Sequence, residues 1–89
     1  MKNLNLKENQ FAVGKAEFAT GHVLKNDYSI SFSNSDSNQN EIFEIFDDFQ
    51  IAKDFAKLKV SNNPKIECWI INSKNETIFT WDLNGERIV

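Results

Sequence analysis

The sequence predicts a small α+β domain: an antiparallel sheet, a single helix over about residues 48–60 packed across one of its faces, and a C-terminal β-meander. Three observations carry this. Residues 46–60 hold the longest helical period in the chain, with helix-start signals at its front. Residues 66–83 fold back on themselves so that apolar residues oppose apolar residues. The composition, 40% hydrophobic with eight Phe and two Trp in 89 residues, supplies a core for one domain.

The helix is the element around which the rest is arranged. At 100° per residue, Phe49, Ile51, Ala52, Phe55, Ala56, Leu58 and Val60 fill one arc, and Gln50, Lys53, Asp54 and Lys57 fill the opposite one. That arc spans about 200°, which predicts a deeply seated helix with a mixed-charge strip left outside. Asp47 is the expected N-cap, Gln50 the capping-box partner, and Phe46 with Ile51 the hydrophobic staple. Extending the helix backwards puts Phe43 and Phe46 among polar residues, so residues 41–46 read as a strand ending at Phe46. The helix is expected to stop before the sequence Ser61-Asn62-Asn63-Pro64, because proline drives its predecessor out of the α region.

The first thirty residues are less regular. Residues 1–10 read as a short strand or a loose N-terminal arm. In residues 11–24, Phe11, Val13, Ala16 and Phe18 follow neither a helical nor a strand period, and Gly14 and Gly21 interrupt both. Extended structure is favoured, because Val23-Leu24 can return from it and a turn at Asn26-Asp27 can lead into Tyr28, Ile30 and Phe32, which alternate with serines. Residues 33–40 form a polar loop.

At the C-terminal end, a two-residue turn at Lys74-Asn75 pairs Ile70 with Phe79, Cys68 with Trp81 and Ile66 with Leu83 on a core-facing side. A second turn at Asn84-Gly85 sets Trp81 beside Ile88 and Asp82 beside Arg87. The opposite side carries Trp69, Ile71, Ile78 and Val89. With one helix to cover one face, these four form a partly exposed apolar patch, unless the N-terminal segment covers them.

Composition narrows the function. A net charge of −3 with scattered lysines offers no basic patch for a nucleic-acid backbone. The lone Cys68 excludes an intramolecular disulfide and a cysteine zinc site, and His22 is the single histidine, so no metal and no cofactor are expected. The start of the chain lacks the apolar run of a signal peptide, and no stretch reaches membrane-spanning length, which points to a cytoplasmic protein. Residues 36–40 place oxygen ligands as a calcium loop does, but Glu41 stands where that loop needs glycine and Asp47 where it needs glutamate.

No motif names a reaction. Glu67 and Asp82, opposed across strands, would make an acid–base couple, and Arg87 beside Asp82 makes a surface charge cluster the plainer reading. His22 is expected on a solvent-facing strand and Cys68 in the core. The expected function is therefore a non-enzymatic protein-interaction module, an inhibitor of the immunity-protein, antitoxin or phage-antagonist kind. It would dock on a protein partner through Trp69, Ile71, Ile78 and Val89 or through the acids Glu41, Glu44, Asp47 and Asp48. The alternatives are a homodimer, and a small enzyme or ligand binder built on Glu67, Asp82, Arg87 and His22.

Overall fold

The computed structural model describes residues 6–30 and 42–86. One helix packs on a six-stranded antiparallel sheet, as the α+β reading expects. In chain order the elements are β1 (Phe11–Glu17), β2 (Val23–Leu24), β3 (Glu44–Phe46), α1 (Phe49–Asn62), β4 (Ile66–Ile71), β5 (Thr77–Asp82) and β6 (Gly85–Glu86). The sheet runs β2-β1-β4-β5-β6, with β3 also on β1. One edge of β1 is therefore shared, β3 taking Phe11 to Val13 and β2 taking Lys15 and Ala16, while the other edge pairs with β4.

β1 forms despite its irregular pattern because both of its faces are buried. Val13 and Lys15 point to the helix side, where they meet Ile70 and Cys68 of β4. Ala12, Gly14 and Ala16 point the other way and are small because other side chains lie flat on them. Gly14 interrupts the periodicity but not the strand, since the ring of Trp69 occupies the space that a side chain at position 14 would fill.

The core on the helix side joins Val13, Leu24, Ile66, Cys68, Ile70 and Phe79 of the sheet to Ala52, Ala56 and Val60 of α1. Alanines at the closest approach let the helix axis sit near the sheet. The helix is turned by roughly 60° from the orientation its hydrophobic arc predicts, at 100° per residue. Ile51 and Leu58, expected inside, are 55% and 58% exposed. Lys53 and Lys57, expected outside, are half-buried. The Lys53 ammonium lies 5.4 Å from the Phe49 ring centre and 5.3 Å from that of Phe79, and the Lys57 ammonium lies 4.8 Å from that of Trp81. The reason is underneath. Phe79 and Trp81 stack side by side on β5, and lysine stems with their cations above the rings cover them better than a second aliphatic row would.

The strand expected over residues 41–46 is confined to Glu44–Phe46, with Ile42 helical, and the helix start also differs by one residue. Asp48, in extended conformation, is the N-cap and accepts from the Gln50 backbone N–H at 2.8 Å. Asp47 instead accepts from the Gln10 side chain at 3.2 Å, tying the segment before β1 to the helix start. Gln50 donates forward to Asp54, so no capping box closes, and Phe46 packs on Phe55 rather than on Ile51. The helix runs two residues past its expected end, to Asn62. Asn63, the residue before Pro64, leaves the helical region while its N–H still bonds the Lys59 and Val60 carbonyls.

Both C-terminal turns depart from the expected ones. The pairs Cys68–Trp81 and Ile70–Phe79 form as predicted, but a bulge next to Ile71 sets it opposite Thr77. The turn is longer than two residues because the Asn72 carboxamide oxygen accepts from the N–H groups of both Lys74 and Glu76, with Asn75 left-handed at φ 61°. In the next turn Asp82 pairs with Gly85 and Trp81 with Glu86, not with Arg87 and Ile88. Asp82 accepts from the Asn84 N–H, and Gly85 takes φ 102°, the residues a type I turn followed by a glycine bulge requires. Leu83 becomes the turn tip, 56% exposed, and the expected Ile66–Leu83 core pair does not form. In the N-terminal hairpin the positive φ falls on Tyr28, at 69°, one residue past the expected Asn26-Asp27. The strand reading beyond Ile30, the calcium-like loop of residues 36–40, Glu41, and Arg87, Ile88 and Val89 lie outside the described residues.

Candidate interaction surface

The predicted patch is split by the structure. Trp69 and Ile71 are half-buried and pack with Leu6 and Val23 against Ala12, Ile42 and Phe43. Phe43 meets Trp69 edge to face at 6.1 Å between ring centres. The face the helix leaves open is thus covered largely by the residues just before β3. Ile78 remains 40% exposed, and Ile45 of β3 is 43% exposed on the same face. Val89 lies outside the described residues.

The acidic candidates fare differently. Glu41 is outside the described residues. Glu44 is half-buried in β3, whereas Asp47 and Asp48 are exposed at the helix start. Asp54 continues this acidity six residues further along α1.

Glu67 pairs with Ala16 on β1 and is half-buried, and Asp82 is buried with its carboxylate accepting from the turn N–H. Cys68–Trp81 is the neighbouring cross-strand pair, and its register sets Glu67 opposite Asp82 as the sequence reading expects, with Arg87 outside the described residues. His22 is exposed beside β2. Cys68 is completely buried, and burial pushes its thiol up to about 11, so it stays protonated as a small core group. An open cleft of about 390 Å³ lies at the end of α1 between Lys57, Val60, Pro64, Trp81 and Leu83. Among the described residues, no group of three or more His, Cys, Asp or Glu is placed to hold a metal ion, and no helix is long and apolar enough to cross a membrane.

Two features escape sequence periodicity. One is the flank of α1. Ile51 and Leu58 stand seven residues apart, two turns along one side, with Asp54 between them three and four residues away. Both aliphatic side chains are more exposed than any residue of the predicted sheet patch that is described. The seven-residue spacing was visible in the sequence, but only the tertiary position of Phe79 and Trp81 decides which side of the helix turns inward. The other is Lys15, a charged residue in mid-strand that is only 4% exposed. A lysine between Gly14 and Ala16 carries no local sign of burial.

No family model, curated protein or solved structure matches the chain.

Proposed function

We propose that the chain is a non-enzymatic protein-interaction module that docks on a protein partner through the outer flank of α1. Ile51 and Leu58 provide the apolar contact, and Asp47, Asp48 and Asp54 provide an acidic border. The observation that carries this is the exposure of those two aliphatic side chains, 55% and 58%, on a helix whose alanine side is fully buried. Single exposed aliphatics are ordinary, but a pair two turns apart beside carboxylates is the spacing of helix-in-groove recognition. The partner chemistry that fits is an apolar groove with a basic border, as an inhibitor of a basic protein would meet, and the compartment is the cytoplasm.

The test is affinity capture from the native host with the parent chain and with an Ile51→Ser/Leu58→Ser double variant, folding being checked by circular dichroism. Loss of a captured protein from a folded variant supports the reading, and identical capture by both removes it. Sedimentation at several concentrations addresses the homodimer: a mass that doubles with concentration in the parent and not in the variant assigns the flank to self-association. Trp69→Ala is a poorer probe, since Trp69 is packed on Gly14 and Phe43.

A further inference from the structure

The turn between β5 and β6 holds the single Asn-Gly pair of the chain, Asn84-Gly85. This dipeptide is open to an internal reaction. The Gly85 backbone nitrogen, on losing its proton to base, attacks the carboxamide carbon of Asn84. A new C–N bond forms, the carboxamide C–N bond breaks, and ammonia leaves as a succinimide ring closes. A side chain on the second residue hinders that closure, and glycine has none. Gly85 stands at φ 102°, and nothing lies within 4 Å of the place its Cβ would take, so its backbone has room to turn. Asn84 itself is exposed at the turn.

The other asparagines among the described residues are placed less favourably. The Asn72 side-chain oxygen accepts from the N–H groups of Lys74 and Glu76, and its amide nitrogen donates to the Glu76 carboxylate. The Asn26 side-chain oxygen accepts from the Lys15 ammonium at 2.9 Å. Asn62 lies within α1, and Asn63 precedes Pro64, whose nitrogen has no proton to lose. Asn75 is followed by the side chain of Glu76.

Water then opens the ring at either of its carbonyls. One product is aspartate. The other, the larger share in such reactions, is isoaspartate, whose main chain runs through the former side-chain carbon and is longer by that carbon. In this hairpin the added length falls where register is set. Asp82 pairs with Gly85 and Trp81 with Glu86, and the Asp82 carboxylate accepts from the Asn84 N–H at 2.8 Å. β6 is only two residues long, so both of its pairs lie beside the lengthened chain. Either product also puts a new carboxylate next to the turn that Asp82 holds.

We propose that Asn84-Gly85 is a self-modification site, converted in the folded chain to isoaspartate, and that the conversion releases β6 from Trp81. Water and base are the only reactants, and loss of ammonia makes the change one-way. Trp81, Asp82 and Leu83 are walls of the cleft at the end of α1, so that wall is altered in the aged protein.

The experiment incubates the full chain in mildly alkaline buffer, folded and in urea, and follows each asparagine by peptide mapping with mass detection. Isoaspartate is read by methyl transfer from an isoaspartyl methyltransferase. In the folded parent, Asn84 should convert before every other asparagine, and Asn84→Gln should accept no methyl group over the same time. The purified aged chain should melt lower than the parent by roughly 4 °C. Asn84→Asp, which adds the charge without lengthening the backbone, should melt closer to the parent. Conversion of another asparagine first overturns the proposal, as does conversion of Asn84 in urea alone. Equal melting of the aged chain and the parent overturns the release of β6, and so does an Asn84→Asp chain that melts as low as the aged one. Should Asn84→Gln fail to fold, the peptide map of the parent decides the site by itself.

Discussion

The two faces of the sheet are built from alternate residues of the same strands, yet they are closed by different means. On the helix face, large aliphatic and aromatic sheet residues such as Val13, Ile70 and Phe79 meet the small alanines of α1. On the other face the sizes are reversed. Ala12, Gly14 and Ala16 form a shallow floor, and the bulk comes from Trp69, Ile71, Ile42 and Phe43 lying over it. The first face is covered by one regular element. Among the described residues, the second is closed by a few side chains from distant parts of the chain, the helical Ile42 among them, so each of these carries a larger share of the packing.

Mutation separates these two kinds of closure. Replacing Ile70, which is fully buried under the helix, by alanine is expected to cost about 4 kcal/mol. A domain of this size has only about 4–13 kcal/mol in total, so the urea midpoint should fall by a large fraction. Gly14→Ala probes the other face. A methyl group there would lie 2.5 Å from Trp69 Cζ2 and 2.8 Å from Phe43 Cε1. Because two rings must move, a cost of about 2–3 kcal/mol is expected, together with loss of the near-ultraviolet circular dichroism of Trp69. If Gly14→Ala is neutral, the face opposite the helix is loosely packed and the contrast between the faces collapses.

The next effect is pH-dependent and confined to the helix face. Cys68 has its thiol raised from 9.0 to about 11 by burial. Between those values the unfolded chain loses a proton that the folded chain keeps, so stability falls as pH rises, by about 2–3 kcal/mol in all. Lys15 acts with the opposite sign. Its pKa is lowered by burial, so the folded chain releases its proton first and stability recovers as pH rises towards 10.5. Because the two oppose each other, the cysteine is read as a difference: from pH 8 to 11 the urea midpoint of the parent should fall relative to that of Cys68→Ala.

Smaller still is the removal of the lysine stems above β5. Lys53→Ala and Lys57→Ala should each cost about 0.5–1 kcal/mol, most of it insensitive to salt, because stem packing is lost along with the cation over the ring. The smallest change belongs to the outer flank of α1. Ile51→Ser and Leu58→Ser should each stay within about 0.5 kcal/mol by urea unfolding, since both side chains are more than half exposed. A larger loss would mean that this flank is part of the fold and not a surface available to a partner.

How much of this was legible in the sequence follows the same division. The helix, the end of the strand before it at Phe46, the hairpin of β4 with β5 and the cross-strand pairs Cys68–Trp81 and Ile70–Phe79 were readable, because each rests on local periodicity or turn chemistry, whereas the helical Ile42 was not. The orientation of the helix was not. Hydrophobic periodicity ranks Ile51 above Lys53, but it contains no record that Phe79 and Trp81 lie on the side where Lys53 points. The cap was ambiguous because Asp47 and Asp48 both suit it, and the contact of Gln10 with Asp47 comes from the far end of the chain. The turns shifted because Asn72 and Asp82 supply side-chain acceptors that compete with the turn dipeptides. The cover over Trp69 is the least local feature of all, joining residues near 6, 14, 43 and 69.

The position of β1 has a consequence for how the chain is assembled during synthesis. It is second in the sheet order and, of the described strands, the earliest in the chain. Its pairing with β2 is local and available at once, but the edge that pairs with β4 waits until residues 66–71 have been made. More than half the described chain is translated in that interval. The pairing of β1 with β4 is therefore a long-range closure, the kind of contact that slows folding and leaves a strand edge open while the chain is being made.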